Sequence, residues 1–149
     1  MSGLAASLGL NCWLLAAQQF NVPVGLLQAI SHVESGGDCW ATHLNRDGSR
    51  DMGCMQINSR WLGVLSRAGI TLTDLYVPCI NVSVGAWILS GEVARYGYSW
   101  VAIGAYNAGP LDAKTRAWKL PLYRKYARRV LSYWSLHLTG SEDEADAFH

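Results

Sequence analysis

Glu34 is the first charged residue of the chain, and the 33 residues before it contain no Asp, Glu, Lys or Arg. One turn back stand Ile30 and Ser31, so its carboxyl lies at the end of an apolar helix. There it loses hydration and meets the partial negative charge of the helix C-terminus. Both effects disfavour the ionised form and raise its pKa. A carboxylic acid that stays protonated near neutral pH can act as a general acid. By position alone, Glu34 is also readable as an exposed residue ending a helix. Asp51 follows 17 residues later, beyond the turn Asn45-Arg46-Asp47-Gly48. Two carboxyls facing one cleft, one in apolar and one in polar surroundings, form the pairing that breaks glycosidic bonds. The plainer reading of Asp51 is a turn-capping residue. Just beyond it, Gly53 would let the backbone approach a ligand closely. Gln56 and Asn58 offer amides to sugar hydroxyls and acetamides. Farther on, Tyr106-Asn107 sits among small residues before Gly109-Pro110. Taken alone, that string reads as a packed helix end.

These residues need a scaffold, and the punctuation points to a mostly helical one. Asn11 can cap a first helix that ends near Phe20. Pro23 suits the first turn of a second helix, which Gly36-Gly37 stops. The flanks of the 45–48 turn can pair as a small hairpin. Ser59 can cap a helix through Ala68, and Thr71 starts a short turn. Apolar periodicity predicts helices over 81–96, from Ser99 to Gly109, and from Pro121 to about Leu138. Residues 1–10 read as an N-terminal extension, 11–138 as one domain, and 139–149 as an acidic, mobile tail.

Composition limits the alternatives. The chain has 149 residues, half hydrophobic and 15% charged, which excludes a disordered chain or a charge-rich coiled coil. Net charge is +1, so no strong field points to nucleic acid. The last nine residues hold four of the acids, and the body is mildly basic. Gln18, Gln19, Asn21 and Pro23 interrupt the uncharged N-terminal stretch, so no run reaches the roughly 20 apolar residues of a membrane span. Seven Trp and seven Tyr suit either an aromatic core or a sugar platform. Cys12, Cys39, Cys54 and Cys79 lack zinc-site spacing, and two disulfides in any of three pairings are favoured over four buried thiols. That favours an exported protein.

Three strings occur in order: His32-Val33-Glu34-Ser35-Gly36-Gly37, Gly53-Cys54-Met55-Gln56-Ile57-Asn58 and Ala105-Tyr106-Asn107-Ala108-Gly109. Together they resemble the soluble lytic transglycosylase family. Asn45 to Gly53, Leu75 to Cys79 and Gly97 to Gly104 resemble its small specialised members, which accompany type III secretion, type IV pilus and conjugation machines. The resemblance covers about residues 11–135. It implies a mainly α, lysozyme-like α+β fold, a helical domain with a β-hairpin beside the cleft. It implies cleavage of peptidoglycan between N-acetylmuramic acid and N-acetylglucosamine, without metal or cofactor, by a periplasmic monomer. Partners would be glycan strands and a component of such a machine.

Carried over residue by residue, Glu34 matches the family's catalytic acid and Tyr106 a tyrosine that orients it. Gln56 and Asn107 match substrate contacts, Met55 lines the groove, and Ser35 follows the acid. Asp47 to Trp61 also resembles animal-type lysozyme, in which the residue matching Asp51 is the second carboxylate. Cys12–Cys79 looks like the subgroup's own bridge. Cys54 departs from the usual apolar residue, so with Cys39 it suggests a second bridge, Cys39–Cys54, beside the active site. Two rival readings remain: a lysozyme-type hydrolase using Glu34 and Asp51, and a non-catalytic glycan-binding module.

Overall fold

Pro23, with φ of −63°, leads into the helix that carries Glu34. In the computed structural model, which describes residues 2–138 and 142–149, this helix (α2) spans Val24–Ser35. Leu26, Leu27, Ala29 and Ile30 form its buried side. Gly36 closes it in the left-handed conformation, its N–H reaching the His32 carbonyl at 2.9 Å. Three longer helices surround it: α1 (Ser2–Phe20), α4 (Pro78–Tyr96) and α6 (Arg116–His137). The shorter α5 (Trp100–Ala108) packs on α4 and α6, α1 packs on α4, and α2 packs on α6. Ser99 caps α5, as expected, by accepting from the Ala102 N–H. A four-residue helix, α3 (Leu62–Leu65), lies between two 3-10 turns, and Asn58 rather than Ser59 caps that run.

The expected hairpin is a three-stranded antiparallel sheet. Thr42–Leu44 (β1) pairs with Arg50–Met52 (β2), which pairs with Ile57–Asn58 (β3). A two-residue strand leaves too little alternation to be read from sequence. Its register places Asn58 opposite Asp51.

Both ends differ from expectation. Asn11 lies inside α1, which runs unbroken from Ser2, so it caps nothing. Thr139 to Ser141, part of the expected tail, lie outside the described residues. The segment after them is docked. Glu142–Asp146 forms α7, and Ala145 and Phe148 are buried. The Phe148 ring meets Tyr98 and Trp134 edge-on, with centroids 5.3 and 5.8 Å apart. Two apolar residues three apart are enough to seat an otherwise acidic segment.

Both bridges form, Cys12–Cys79 between α1 and α4 and Cys39–Cys54 beside the sheet. Tyr123, Tyr126 and Trp134 are buried in the core, whereas Trp40, Trp87, Tyr98 and Trp118 are exposed. Among the described residues, no helix is long and apolar enough to cross a membrane.

Candidate active site

The end of α2 is fastened before any ligand arrives. Ser31 and Ser35 both donate to the Cys54 carbonyl, at 3.0 and 2.8 Å. Ser35 therefore joins Glu34's helix to the Asp51–Asn58 segment and does not face the cleft. On the other side of that segment stands Asn81, fully buried on α4. It accepts from the Met55 N–H and donates to the Met52 and Leu75 carbonyls, at 2.7–2.8 Å.

Gly53 and Met55 turn inward for the same reason. A Cβ on Gly53 would stand 2.3 Å from the Asn81 amide nitrogen, and its φ is +78°. Its freedom accommodates Asn81, not a ligand. Met55 is fully buried and packs on Gly85, so it lines the core and not the groove.

A cleft of about 860 Å³ opens between the sheet, α4 and the end of α5. Glu34, Asp51, Gln56, Asn58, Tyr106 and Asn107 all line it. Glu34 is half-buried, and burial is the main cause that raises its pKa above the usual carboxylate value. Tyr126 and Asn107 hydrogen bonds pull it down, and the Asp51 charge pushes it up. The Tyr126 hydroxyl donates to Glu34 Oε1 at 2.7 Å.

Tyr126, not Tyr106, therefore makes the tyrosine hydrogen bond to the acid. The Tyr106 hydroxyl goes to the Met55 carbonyl at 2.8 Å. Both phenols lie well above their usual pKa, through burial first and the Glu34 charge second. They remain hydrogen-bond donors at neutral pH. Tyr126 is 92 residues from Glu34 in sequence. Its only sequence signal was an apolar repeat along α6, which reads as packing.

Asp51 has a polar seat. Asn45 and Asn58 amides donate to its two oxygens, at 3.1 and 2.9 Å. Gln56 reaches over the same floor with a positive φ of 50°, its amide donating to the Ala41 and Gly53 carbonyls. One acid is thus enclosed and the other held by amides. An enclosed acid is suited to deliver a proton, and an amide-held carboxylate to stabilise positive charge. His32 takes no part, because its ring stacks on Tyr133 at 3.7 Å.

A sequence model described as the transglycosylase SLT domain matches residues 11–121. The chain belongs to this family. As an SLT transglycosylase it is an enzyme of the lytic transglycosylase kind. Over 121 residues it is 45% identical to the invasion protein IagB of Salmonella typhimurium, a match covering 80% of this chain and 72% of that one. The protein IpgF of Shigella sonnei is 38% identical over 122 residues, covering 79% and 80%. Among solved structures, an inactive mutant of the lytic transglycosylase Slt from Pseudomonas aeruginosa superimposes with a TM-score of 0.69. At 24% identity, that likeness covers 93% of this SLT chain and 24% of the other, and it shows a shared fold.

Proposed function

We propose that this enzyme cuts peptidoglycan between N-acetylmuramic acid and N-acetylglucosamine, with Glu34 as the sole proton carrier. The observation that carries the reading is Glu34 itself, a half-buried acid of raised pKa in the cleft of an SLT domain. Protonated Glu34 gives its proton to the glycosidic oxygen as the bond from C1 breaks. Positive charge then spreads over C1 and the ring oxygen, where Asp51 stabilises it. The Glu34 carboxylate takes the proton of the same sugar's C6 hydroxyl as that oxygen bonds to C1. A 1,6-anhydro ring closes, no water is consumed, and Glu34 ends protonated as it began. Gln56, Asn58 and Asn107 are the amides that hold the sugars, and Tyr126 aims the acid.

Mass spectrometry of digested peptidoglycan tests this. Anhydro-muropeptides are the expected product, and reducing-end muramic acid would show a hydrolase instead. Asp51 is the observation that favours that second reading, because it faces the same cleft as a lysozyme-type second carboxylate would. Glu34→Gln is expected to abolish turnover while glycan binding survives. Asp51→Asn is expected to lower turnover by about 10²-fold, the scale of one lost charge-stabilising group.

The cellular setting rests on the motifs and the disulfides. We place the enzyme in the periplasm, where bridges form and glycan is at hand. There it opens the wall locally for a secretion, pilus or conjugation machine, as a monomer. Similarity to a protein named for invasion supports that setting.

A further inference from the structure

Ile88, Glu92 and Arg95 stand at one-turn intervals on a single face of α4, and all three line the cleft. Glu92 is 6% exposed, and its Oε2 has no hydrogen-bond partner among the described residues. An enclosed, unpaired carboxyl oxygen destabilises a fold. Such a group calls for a reason other than stability.

Its surroundings supply one. The Tyr123 hydroxyl donates to the Gly109 carbonyl, and the Leu111 N–H donates to the Tyr96 hydroxyl at 2.9 Å. These bonds fasten the Gly109–Leu111 segment to α6 through Tyr123 and to the end of α4 through Tyr96. Gly109 and Pro110 on one side, with Glu92 and Arg95 on the other, make a single stretch of cleft wall. Arg95, one turn along α4, is the charge that acts on Glu92 and lines the same stretch.

We propose that Glu92 is a glycan-binding residue, accepting a hydrogen bond from an O–H or N–H of an amino sugar seated beside the Gly109–Leu111 segment, away from the scissile bond. The proposal rests on the glycan reading of the cleft. An enclosed carboxyl in a cleft wall is reached by a small polar group of whatever lies along the cleft. Its terminal torsion is soft, so the unpaired oxygen can turn to meet that group. Burial also holds the carboxyl pKa above its usual value, and the Arg95 charge opposes that. A hydrogen-bond donor supplied by the sugar satisfies the oxygen that the fold leaves unpaired.

The test measures equilibrium binding in the non-cleaving Glu34→Gln enzyme. The probes are a tetrasaccharide and a much longer glycan of alternating N-acetylglucosamine and N-acetylmuramic acid. Adding Glu92→Met is expected to weaken the longer glycan about tenfold, the size of one hydrogen bond to a charged group. It should also erase much of that glycan's advantage over the tetrasaccharide. Glu92→Gln keeps an acceptor and should bind within about threefold of its parent. Thermal unfolding of Glu92→Met without glycan should come no earlier than the parent's, since only an unsatisfied group is lost. An unchanged affinity for the longer glycan, or an earlier unfolding with unchanged affinity, overturns the proposal. N-deacetylated glycan separates the two donors: an altered Glu92 effect assigns the acetamide N–H, and an unaltered one a hydroxyl. Failure to find anhydro products would leave these affinities untouched, so the two readings fail separately.

Discussion

Burial costs the ionised Glu34 carboxyl its hydration and raises its pKa, and that shift links fold stability to pH. Its folded pKa is raised from 4.5, so the native state binds the proton more tightly than the unfolded chain does. This contribution to stability is complete below the unfolded value and is lost as pH rises through the folded one. Glu34→Gln stays neutral and can still accept from Tyr126. Thermal unfolding should therefore find it more stable than the wild type near neutral pH, with the gap closing in acid. Turnover should fall as pH rises through the same raised value, because only protonated Glu34 can give its proton. Tyr126→Phe removes a hydrogen bond that holds this pKa down. The alkaline limb of its pH–rate profile should move to higher pH, and stability should fall by about 1 kcal/mol. A merely structural Tyr126 would change stability and leave the limb in place.

The elements meet at the 52–58 segment, where Cys54 is a crossroads. Its carbonyl takes the two serine hydroxyls from α2, and its sulfur is bonded to Cys39. The Cys39–Cys54 bridge closes a separation of 15 residues, worth about 3 kcal/mol in the chain-entropy model. Cys12–Cys79 closes 67, worth roughly 4 kcal/mol. Urea unfolding of the Cys39→Ala/Cys54→Ala pair should show a loss of that order. Its turnover should drop as well, since Glu34 and Asp51 stand on either side of the released joint. Turnover that stays intact would limit this bridge to stability. The helix ends at Gly36, Ser99 and Gly109 were legible because caps are local chemistry. The third strand was not, because Ile57–Asn58 exists through its pairing with Asp51 and Met52. Asn81 read as an ordinary helix start, whereas its side chain joins three backbone groups from two other segments.

At the scale of the molecule, the C-terminal segment belongs to the folded unit. Phe148 is 1% exposed and wedged between Tyr98 and Trp134. Phe148→Ala should cost about 3 kcal/mol, read from the thermal or urea midpoint. A loose tail would give no change.

By itself the sequence determined the family, the order of its three motifs and Glu34 as the candidate acid, because these are written in contiguous residues. It also carried both cysteine pairs, through resemblance and one departure from it. Only the tertiary structure decided which tyrosine reaches Glu34, and that Ser35, Gly53 and Met55 turn away from the cleft. It also drew Glu92 from an apolar helix into the cleft wall. Each of these depends on how α2, α4 and α6 pack, and a contact between residues far apart in the chain leaves no local pattern to read.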